Sequence, residues 1–213
     1  MAMIKNLIFD WGGVILTLDK ERCLDAFDNV VGVSNFSEYL TPYLQKGFFA
    51  AYENGDIDDA EFCRNVKELS SKENVTDDDV KFALYEFLEG IPEYKVKMLL
   101  ALKERYNLYV LSNNNNICWQ KSAEMFEKIS GRSVDEVFEH CFLSFRMNKM
   151  KPGNEIYEEV ISKRGLVPEE SLFIDDAQAN IEAASRLGFK TMFYDVNTNL
   201  EEELNKYLSR TDG

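Results

Sequence analysis

The sequence predicts an α/β protein whose core is a doubly wound, Rossmann-like parallel sheet, with a block of four helices inserted after the first strand. Short apolar segments typical of buried strands occupy residues 7–9, 108–111, 172–174 and 191–193. Long intervening segments separate them, so these strands cannot pair as hairpins and instead imply right-handed crossovers in a parallel sheet. Between residues 18 and 90 strand character is lost and no hairpin turn is recognisable. A helical insertion therefore interrupts a single sheet.

Helical periodicity defines the inserted block. The segments with apolar residues at a spacing close to that of a helix are residues 20–31, 39–52, 60–69 and 76–90. Gly55 is expected to end the second helix, because glycine is the usual residue after a helix C-terminus. Thr76 can cap the fourth helix, with Asp79 three residues further on. The block is therefore predicted to hold four helices.

In the rest of the chain, predicted helices alternate with the strands. These helices are expected at residues 93–106, 117–129, 155–163, 177–187 and 200–208. A weaker strand is predicted at residues 142–145, and Pro152 is well placed to open the helix that follows it. We predict two domains: an α/β core of residues 1–16 and 91–213, and a helical domain of residues 17–90.

Charge and composition exclude several classes of protein. The chain has 213 residues and a net charge of −14, and such an acidic surface is unsuited to nucleic acid or to an anionic membrane. Four cysteines without close spacing and a single histidine, His140, argue against a disulfide framework and against multi-histidine metal sites. No signal peptide and no apolar run of membrane-spanning length is recognisable. We therefore expect a cytoplasmic protein, either a monomer or a homodimer.

Polar residues collect where the predicted strands end. Asp10 follows the first strand, Ser112 the second and Asp175-Asp176 the third, while Lys151 lies in a strand-to-helix loop. The carboxyl ends of parallel strands share one edge of the sheet, so these groups are expected to meet. Each alone is also typical of a turn, a helix cap or a solvated lysine. Together, carboxylates without histidine or thiolate predict Mg²⁺, because a cation relieves their repulsion, and the adjacent lysine predicts a phosphate site.

The same residues resemble the four motifs of haloacid dehalogenase (HAD) superfamily hydrolases, over essentially the whole chain. The motifs are Asp10-Trp11-Gly12-Gly13-Val14, Leu111-Ser112-Asn113, Lys151-Pro152, and Phe173-Ile174-Asp175-Asp176 with Asn180. The helical block resembles the cap of these hydrolases, and the chain is most similar to bacterial phosphatases of the glucose-1-phosphate phosphatase type. The resemblance implies an Mg²⁺-dependent phosphatase. Its expected substrate is a small phosphorylated metabolite, foremost a sugar phosphate, and not a phosphoprotein or nucleic acid.

The resemblance also implies roles for the residues at the sheet edge. Asp10 would attack phosphorus and become an aspartyl phosphate, which water then hydrolyses. Ser112, the Asn113 amide and Lys151 would hold the phosphoryl oxygens, where positioning and charge neutralisation supply most of the catalysis. These residues form the predicted catalytic centre.

For the metal, the resemblance implies that Asp10 and Asp176 coordinate Mg²⁺ directly, together with the backbone carbonyl of Gly12. Asp175 would help through the metal or its water molecules, and Asn180 would lie behind this ligand set. The predicted cofactor is therefore Mg²⁺, coordinated by oxygen atoms only.

Further residues are expected on the substrate side. Trp11, next to the nucleophile, and Glu53, in the cap, are predicted to contact the substrate together with Asn113. Phe49 and Tyr52 either face the substrate as well or pack inside the cap, and the sequence leaves both alternatives open.

The sequence departs from the superfamily at Gly12, where most of its phosphatases carry a second aspartate that serves as general acid and base. Protonation of the leaving group then needs another acid, for which Glu53, Asp56 and Asp19 are candidates. Two alternatives follow. One is a non-catalytic protein that binds a phosphorylated metabolite in the same pocket. The other, ranked below the phosphatase, is a metal-free 2-haloacid dehalogenase, which also lacks the second aspartate but does not need an acidic pair after the third main strand.

Overall fold

A computed structural model describes residues 3–41 and 46–211 of the chain. The strands in these ranges are β1 (Asn6–Phe9), β2 (Thr17–Leu18), β3 (Leu88–Gly90), β4 (Asn107–Ser112), β5 (His140–Leu143), β6 (Ser171–Asp175) and β7 (Lys190–Phe193). The α-helices are α1 (Lys20–Ala26), α2 (Gly47–Asn54), α3 (Asp59–Glu68), α4 (Asp77–Tyr85), α5 (Glu93–Leu102), α6 (Asn116–Ser130), α7 (Val134–Val137), α8 (Ser144–Met147), α9 (Asn154–Arg164), α10 (Gln178–Arg186) and α11 (Leu200–Thr211). A π-helical turn, Phe27–Val31, continues α1.

Five strands form a parallel sheet in the order β5-β4-β1-β6-β7. β1 is central, and Phe9 near its carboxyl end pairs with Val110 of β4 and with Ile174 of β6. The strand order runs outward in both directions from β1, so the switch point of this doubly wound sheet lies at the end of β1. The predicted fold class is confirmed, and the switch point is where a ligand is expected to bind.

The two faces of the sheet carry separate hydrophobic clusters. Leu7 and Phe9 of β1 belong to the cluster that includes α5, α6 and α11, whereas Ile8 belongs to the cluster formed with α9 and α10. This division follows from the alternation of side chains along a strand. All three side chains are fully buried, and burial of such a side chain is worth roughly 1.5–3 kcal/mol. Helices on both faces therefore hold β1 and the residue that follows it in place.

The helical segment, residues 17–90, contains α1 to α4, as many α-helices as predicted. The expected absence of strands in this segment is wrong, because β2 and β3 form an antiparallel ladder in which Thr17 pairs with Gly90 and Leu18 with Leu88. The fourth helix correspondingly ends at Tyr85 instead of continuing to Gly90. Strands of two and three residues are too short to show a period, and their partners are far apart in the sequence. The division into two domains stays a prediction, with the ladder at its boundary.

Local capping explains where the helices of this segment begin and end. Thr76 and Asp79 form a reciprocal capping box at the start of α4, as predicted. Gly55 ends α2 in the left-handed conformation, with φ of 81°. The predicted start of that helix at residue 39 is wrong, since α2 begins at Gly47. Tyr43 and Leu44, which the periodicity assigned to it, lie outside the described residues.

Two further boundaries differ from the prediction. The weaker strand is β5, which ends at Leu143, so that Ser144 already begins the short helix α8. Pro152 does not open α9, because Gly153 occupies the N-cap position. Within the described part of the chain, no helix combines the length and apolarity needed to cross a bilayer.

Candidate active site

Asp10 lies directly after β1, at the switch point of the sheet. Its backbone amide donates to the Ile174 carbonyl at 2.9 Å and so extends the pairing with β6 by one step. Its carboxylate oxygen Oδ1 accepts a hydrogen bond from the Trp11 amide at 2.7 Å and lies 3.0 Å from the Lys151 Nζ. The side chain is buried apart from the part that faces a cavity. Asp10 is therefore fixed in orientation at the place where a ligand would enter.

Gly13 allows the chain to turn tightly beside this carboxylate. Its φ of +82° lies in the left-handed region, which side chains other than glycine rarely adopt. A Cβ added at this position would lie 2.3 Å from the Asp176 Oδ2, so only glycine lets Asp176 approach the turn. Gly12 differs, since its φ is outside that region and the nearest atom to an added Cβ would be Leu18 Cδ1, at 3.1 Å.

Three carboxylates gather at this edge of the sheet. One oxygen from each of Asp10, Asp175 and Asp176 lies within 4.8 Å of the others. Burial and the two neighbouring carboxylates raise the pKa of Asp10 to about 7, although Lys151 opposes the shift. Burial and Asp175 likewise raise the pKa of Asp176 to about 6. Such crowding favours a cation, and an oxygen-only donor set fits a hard ion such as Mg²⁺.

Lys151 is the cation that the chain itself supplies to this cluster. Its Nζ lies 2.6 Å from the Asp175 Oδ2 and 3.0 Å from the Asp10 Oδ1. Burial lowers the pKa of Lys151, but attraction to Asp10 and Asp175 outweighs burial and holds the pKa above its ordinary value. Asp175 also accepts hydrogen bonds from the Ala177 amide at 2.8 Å and from the Asn180 Nδ2 at 3.0 Å. Asp175 thus holds the lysine and is itself held by Asn180, which also lines the cavity.

Asn113 connects the loop after β4 to the loop that carries Lys151. Its Nδ2 donates to the Lys151 carbonyl, and its Oδ1 accepts from the Lys151 amide, both at 2.9 Å. Ser112 is buried at the end of β4, and its hydroxyl donates to the Asn113 carbonyl at 3.2 Å. Ser112 does not line the cavity in front of Asp10, whereas Asn113 does. The two predicted phosphate-binding residues therefore differ in access to a ligand.

A cavity of about 330 Å³ lies in front of Asp10. One side, which we call the sheet wall, consists of residues at the carboxyl edge of the sheet: Asp10, Gly12, Asn113, Lys151, Asp176, Ala177 and Asn180. The opposite side, which we call the helical wall, comes from the helical segment and includes Leu18, Lys20, Leu40, Thr41, Glu53 and Phe87. Glu53, in the last turn of α2, is the one carboxylate of the helical wall among the described residues. The sheet and the helical segment thus enclose one cavity.

Comparison with known proteins identifies the family. Residues 4–188 match the family model of haloacid dehalogenase-like hydrolases. The chain belongs to this family. It is 31% identical to D-ribitol-5-phosphate phosphatase of Bacteroides thetaiotaomicron over 209 residues, which is 97% of this chain and 100% of the relative. The predicted superfamily and the similarity to its phosphatases are both confirmed.

Solved structures of HAD-family proteins resemble the hydrolase closely. A wild-type HAD-family enzyme of Bacteroides thetaiotaomicron, in complex with magnesium and inorganic phosphate, matches with a TM-score of 0.85 at 36% identity, covering 92% of this chain and 96% of that one. A predicted HAD-like hydrolase from Porphyromonas gingivalis matches with a TM-score of 0.88 at 36% identity, covering 97% and 98%. The likeness therefore extends through both the sheet and the helical segment.

The predicted contact of the Trp11 side chain with substrate is wrong. This side chain is fully buried, its Nε1 donates to the Ser122 Oγ at 2.9 Å, and its ring lies 5.2 Å from that of Trp119. Successive residues of an extended chain point in opposite directions, so Trp11 enters the hydrophobic core when Asp10 faces the cavity. Only the Trp11 backbone amide reaches the site, through its hydrogen bond to Asp10.

The aromatic residues of α2 pack inside the HAD hydrolase and do not line its cavity. Phe49 and Tyr52 are both buried. The Tyr52 hydroxyl donates to the Asp59 Oδ1 at 2.5 Å and accepts from the Ile117 amide at 3.2 Å. Of the two alternatives that the sequence left open, packing is the one the structure shows. Tyr52 in addition joins the helical segment to α6.

Lys95 of α5 is a residue that the sequence reasoning missed. It is buried, and its Nζ donates to the Val14 carbonyl at 2.6 Å, within the loop that follows Asp10. Burial lowers the pKa of Lys95 to about 8. Its position on the same helix face as the apolar residues Leu99 and Leu102 is a signal that could have drawn attention to it, because a lysine on a core-facing stripe needs a partner.

Proposed function

We propose that the hydrolase is an Mg²⁺-dependent phosphatase that acts on a small phosphorylated metabolite, a sugar or polyol phosphate, through an aspartyl phosphate on Asp10. The observation that carries this proposal is the convergence of Asp10, Lys151 and Asp176 on one cavity at the switch point of the sheet. The relative at 31% identity is named for D-ribitol 5-phosphate, and a solved relative holds magnesium and inorganic phosphate. Both support the same chemistry.

The roles of the residues follow from their positions. The Asp10 carboxylate, held by the Trp11 amide and Lys151, attacks phosphorus, and the ester oxygen leaves. Lys151 and Asn113 line the cavity beside it and bind the phosphoryl oxygens, with Ser112 supporting Asn113 from behind. Their contribution is positioning and charge neutralisation, which dominate phosphoryl transfer.

The metal site in this proposal consists of Asp10 and Asp176 with the carbonyl of Gly12, and Asp175 close by. When bound there, Mg²⁺ neutralises the charge of the phosphoryl group and of the crowded carboxylates. Asp175 has two donors of its own, Lys151 and Asn180, so its main role is to hold the lysine and the ligand set in place.

The cavity and the charge of the chain set the class of substrate. A volume of about 330 Å³ suits a small metabolite, and the helical wall closes the site against bulky partners. The net charge of −14 repels nucleic acid and other polyanions. A sugar or polyol phosphate satisfies both conditions, and the helical wall offers Lys20, Thr41 and Glu53 as polar groups for its hydroxyls.

The test is release of inorganic phosphate from a panel of sugar phosphates, polyol phosphates and nitrophenyl phosphate. Reactions contain saturating Mg²⁺, Ca²⁺ or excess chelator. We expect turnover with Mg²⁺ alone, because Ca²⁺ takes more ligands at longer distances and displaces the reacting groups. Full activity in chelator would overturn the metal requirement. Binding without turnover would favour the non-catalytic alternative, and metal-independent halide release from a 2-haloacid would favour the dehalogenase.

A further inference from the structure

The proposed phosphatase needs a proton donor for its leaving group, because Gly12 carries no side chain. Asp19 and Asp56 are both engaged elsewhere. The Asp19 carboxylate caps α1 by accepting from the Arg22 amide at 3.0 Å. Asp56 accepts hydrogen bonds from the Asn54 Nδ2 at 3.0 Å and lines a different cavity, together with Asn116 and Phe145. Neither lines the cavity in front of Asp10.

Glu53 is placed differently from both. It lines the cavity that contains Asp10, and only 9% of its surface is exposed. Among the described residues, none donates a hydrogen bond to its carboxyl group or forms an ion pair with it. Since Glu53 lines the cavity, its carboxyl group is within reach of a ligand bound there, and such a ligand can supply the hydrogen-bond partner that a buried carboxyl group requires.

The position of Glu53 is fixed by the core and not by the helical segment alone. The Ser144 Oγ donates to the Glu53 carbonyl at 2.5 Å, and the Asn148 Nδ2 donates to the Asn54 carbonyl at 3.1 Å. An added Cβ at Gly55 would lie 2.2 Å from the Phe145 carbonyl oxygen, so this turn is seated directly on the core. The end of α2 is thereby attached to the residues that follow β5, and Glu53 keeps a fixed relation to Asp10.

We propose that Glu53 is the general acid and base of this hydrolase, in place of the side chain that Gly12 lacks; this inference rests on the proposed phosphatase function. In an in-line displacement the attacking and leaving oxygens lie on opposite sides of phosphorus. Asp10 attacks from the sheet wall, so the leaving oxygen departs toward the helical wall, which Glu53 lines.

The steps balance with the groups present. An oxygen of the Asp10 carboxylate forms a bond to phosphorus while the bond to the ester oxygen breaks, and the Glu53 carboxyl group gives its proton to that oxygen. The alcohol leaves and Glu53 is a carboxylate. A water molecule then enters from the side that the alcohol vacated, gives a proton to Glu53, and attacks phosphorus. The bond to Asp10 breaks, inorganic phosphate is released, and Glu53 is protonated again. Burial, followed by the charge of Asp10, raises the pKa of Glu53 to about 8, which keeps a proton available near neutral pH.

The experiment compares wild type with Glu53→Gln across phosphate monoesters whose leaving groups range from nitrophenol to primary alcohols. Glutamine keeps the size of the side chain and leaves the backbone contact with Ser144 intact. The matched control is Glu68→Gln, the same change on an exposed residue of α3. Thermal unfolding and the inhibition constant of inorganic phosphate report whether fold and phosphate binding are retained. Glu53→Asp serves as a second variant, because it keeps the acid and shortens its reach.

We expect wild type to show a shallow dependence of kcat/KM on leaving-group pKa. Glu53→Gln should lose about 10²–10⁴-fold with alkyl phosphates, the usual range for general acid catalysis, and far less with nitrophenyl phosphate. It should also show a burst of nitrophenol, because the second step lacks its base. Glu53→Asp should lose less than Glu53→Gln with alkyl phosphates.

Equal losses across the ester series, with or without a change in KM, would overturn the inference and assign Glu53 to substrate binding. A loss in Glu53→Asp as large as in Glu53→Gln, uniform across the series, would do the same. These results leave the phosphatase itself intact, since wild type still releases phosphate. Failure of wild type to release phosphate from any ester would instead overturn the proposed function. The role of Glu53 as its general acid would then fall as well.

Discussion

The sheet wall and the helical wall of the cavity differ in how their polar groups are held. On the sheet wall, Lys151 contacts both Asp10 and Asp175, and Asn113 is hydrogen-bonded twice to the Lys151 backbone. On the helical wall, Glu53 lines the cavity together with the apolar residues Leu18, Leu40 and Phe87, and its carboxyl group receives no hydrogen bond from the described residues. The groups of the sheet wall are thus positioned before a substrate arrives, whereas Glu53 of the helical wall has no comparable side-chain partner among the described residues.

This difference predicts how each wall responds to substitution. The sheet wall holds three carboxylates against one lysine, so removal of Lys151 would leave buried carboxylates unpaired at a cost of about 3–5 kcal/mol. The helical wall contains no comparable ion pair among the described residues. Substitutions in the sheet wall should therefore affect chemistry and stability together, whereas substitutions in the helical wall should change turnover or selectivity with little effect on stability.

The largest expected effect is that of Asp10→Asn on turnover. Asparagine keeps the shape of the side chain but cannot attack phosphorus, and loss of a nucleophile costs on the order of 10⁴–10⁶-fold in kcat. The measurement is phosphate release at saturating Mg²⁺, with Asp25→Asn, an exposed position on α1, as the control of the same chemistry. Turnover by Asp10→Asn at the wild-type rate would show that Asp10 is not the nucleophile. The attack on phosphorus would then not come from the sheet wall.

The same variant should be more stable than wild type in chelator, increasingly so as pH rises. The folded pKa of Asp10 is about 7 against an ordinary 3.8, so the folded state holds this proton longer than the unfolded chain. Protonated Asp10 therefore stabilises the wild-type fold fully below about pH 4, and this contribution to the free energy of unfolding is lost as pH rises to about 7. A difference of about 3 pKa units corresponds to at most about 4 kcal/mol.

Urea unfolding of both proteins between pH 4 and pH 8 measures this advantage. It should grow up to about pH 7, level off, and shrink when Mg²⁺ is added, because the ion binds the ionised cluster of wild type. A wild type that gains stability over Asp10→Asn as pH rises without metal would contradict the crowding of carboxylates on the sheet wall.

Gly13→Ala should reduce apparent Mg²⁺ affinity by about 10–100-fold, the usual size of effects on groups that position metal ligands. The new Cβ would be forced to within 2.3 Å of the Asp176 Oδ2, at a φ of +82°. Gly131→Ala is the matched control, because it also adds a Cβ at a positive φ, +68°, where nothing lies within 4 Å. Calorimetric titration with Mg²⁺ distinguishes the two. Equal effects of both substitutions would show that strain at a positive φ, and not the position of Asp176, is responsible.

Much of the sheet wall could be predicted from the sequence. Buried parallel strands are near-continuous apolar runs, and three of them end in Asp10, Ser112 and Asp175, so a parallel sheet brings these residues to one edge. The orientation of Trp11 could not be predicted so simply. Proximity to the nucleophile suggested a contact with substrate, but the alternation of side chains directs its ring into the core.

The helical wall was harder to predict for a physical reason. Leu18, Leu40 and Phe87 are apolar residues like many others in the chain, and only the packing of the helical segment on the sheet makes them face the cavity. Glu53 and Asp56 are close in sequence and both acidic, yet one lies in the last turn of α2 and the other after its end at Gly55. Which carboxylate lines the site depends on the turn at Gly55 and on how that turn packs against the residues that follow β5.

The smallest effect concerns Lys20, the one lysine of the helical wall among the described residues. It is partly exposed at the start of α1, and none of the described residues forms an ion pair with it. Its ammonium group attracts a phosphate dianion without being fixed against it, and an exposed charge of this kind is worth about 1 kcal/mol, or about fivefold in binding.

Lys20→Met should therefore raise KM by about fivefold and leave kcat unchanged, with the difference shrinking as salt is raised, since exposed charges are screened over about 10 Å at 0.1 M salt. Lys128→Met, an exposed position on α6 remote from the cavity lining, controls for the loss of one positive charge. A fall in kcat as large as the rise in KM would place Lys20 among the groups that act on the transition state. Both walls would then stabilise the charge of the transition state. They would differ only in whether their polar groups are hydrogen-bonded before substrate binds.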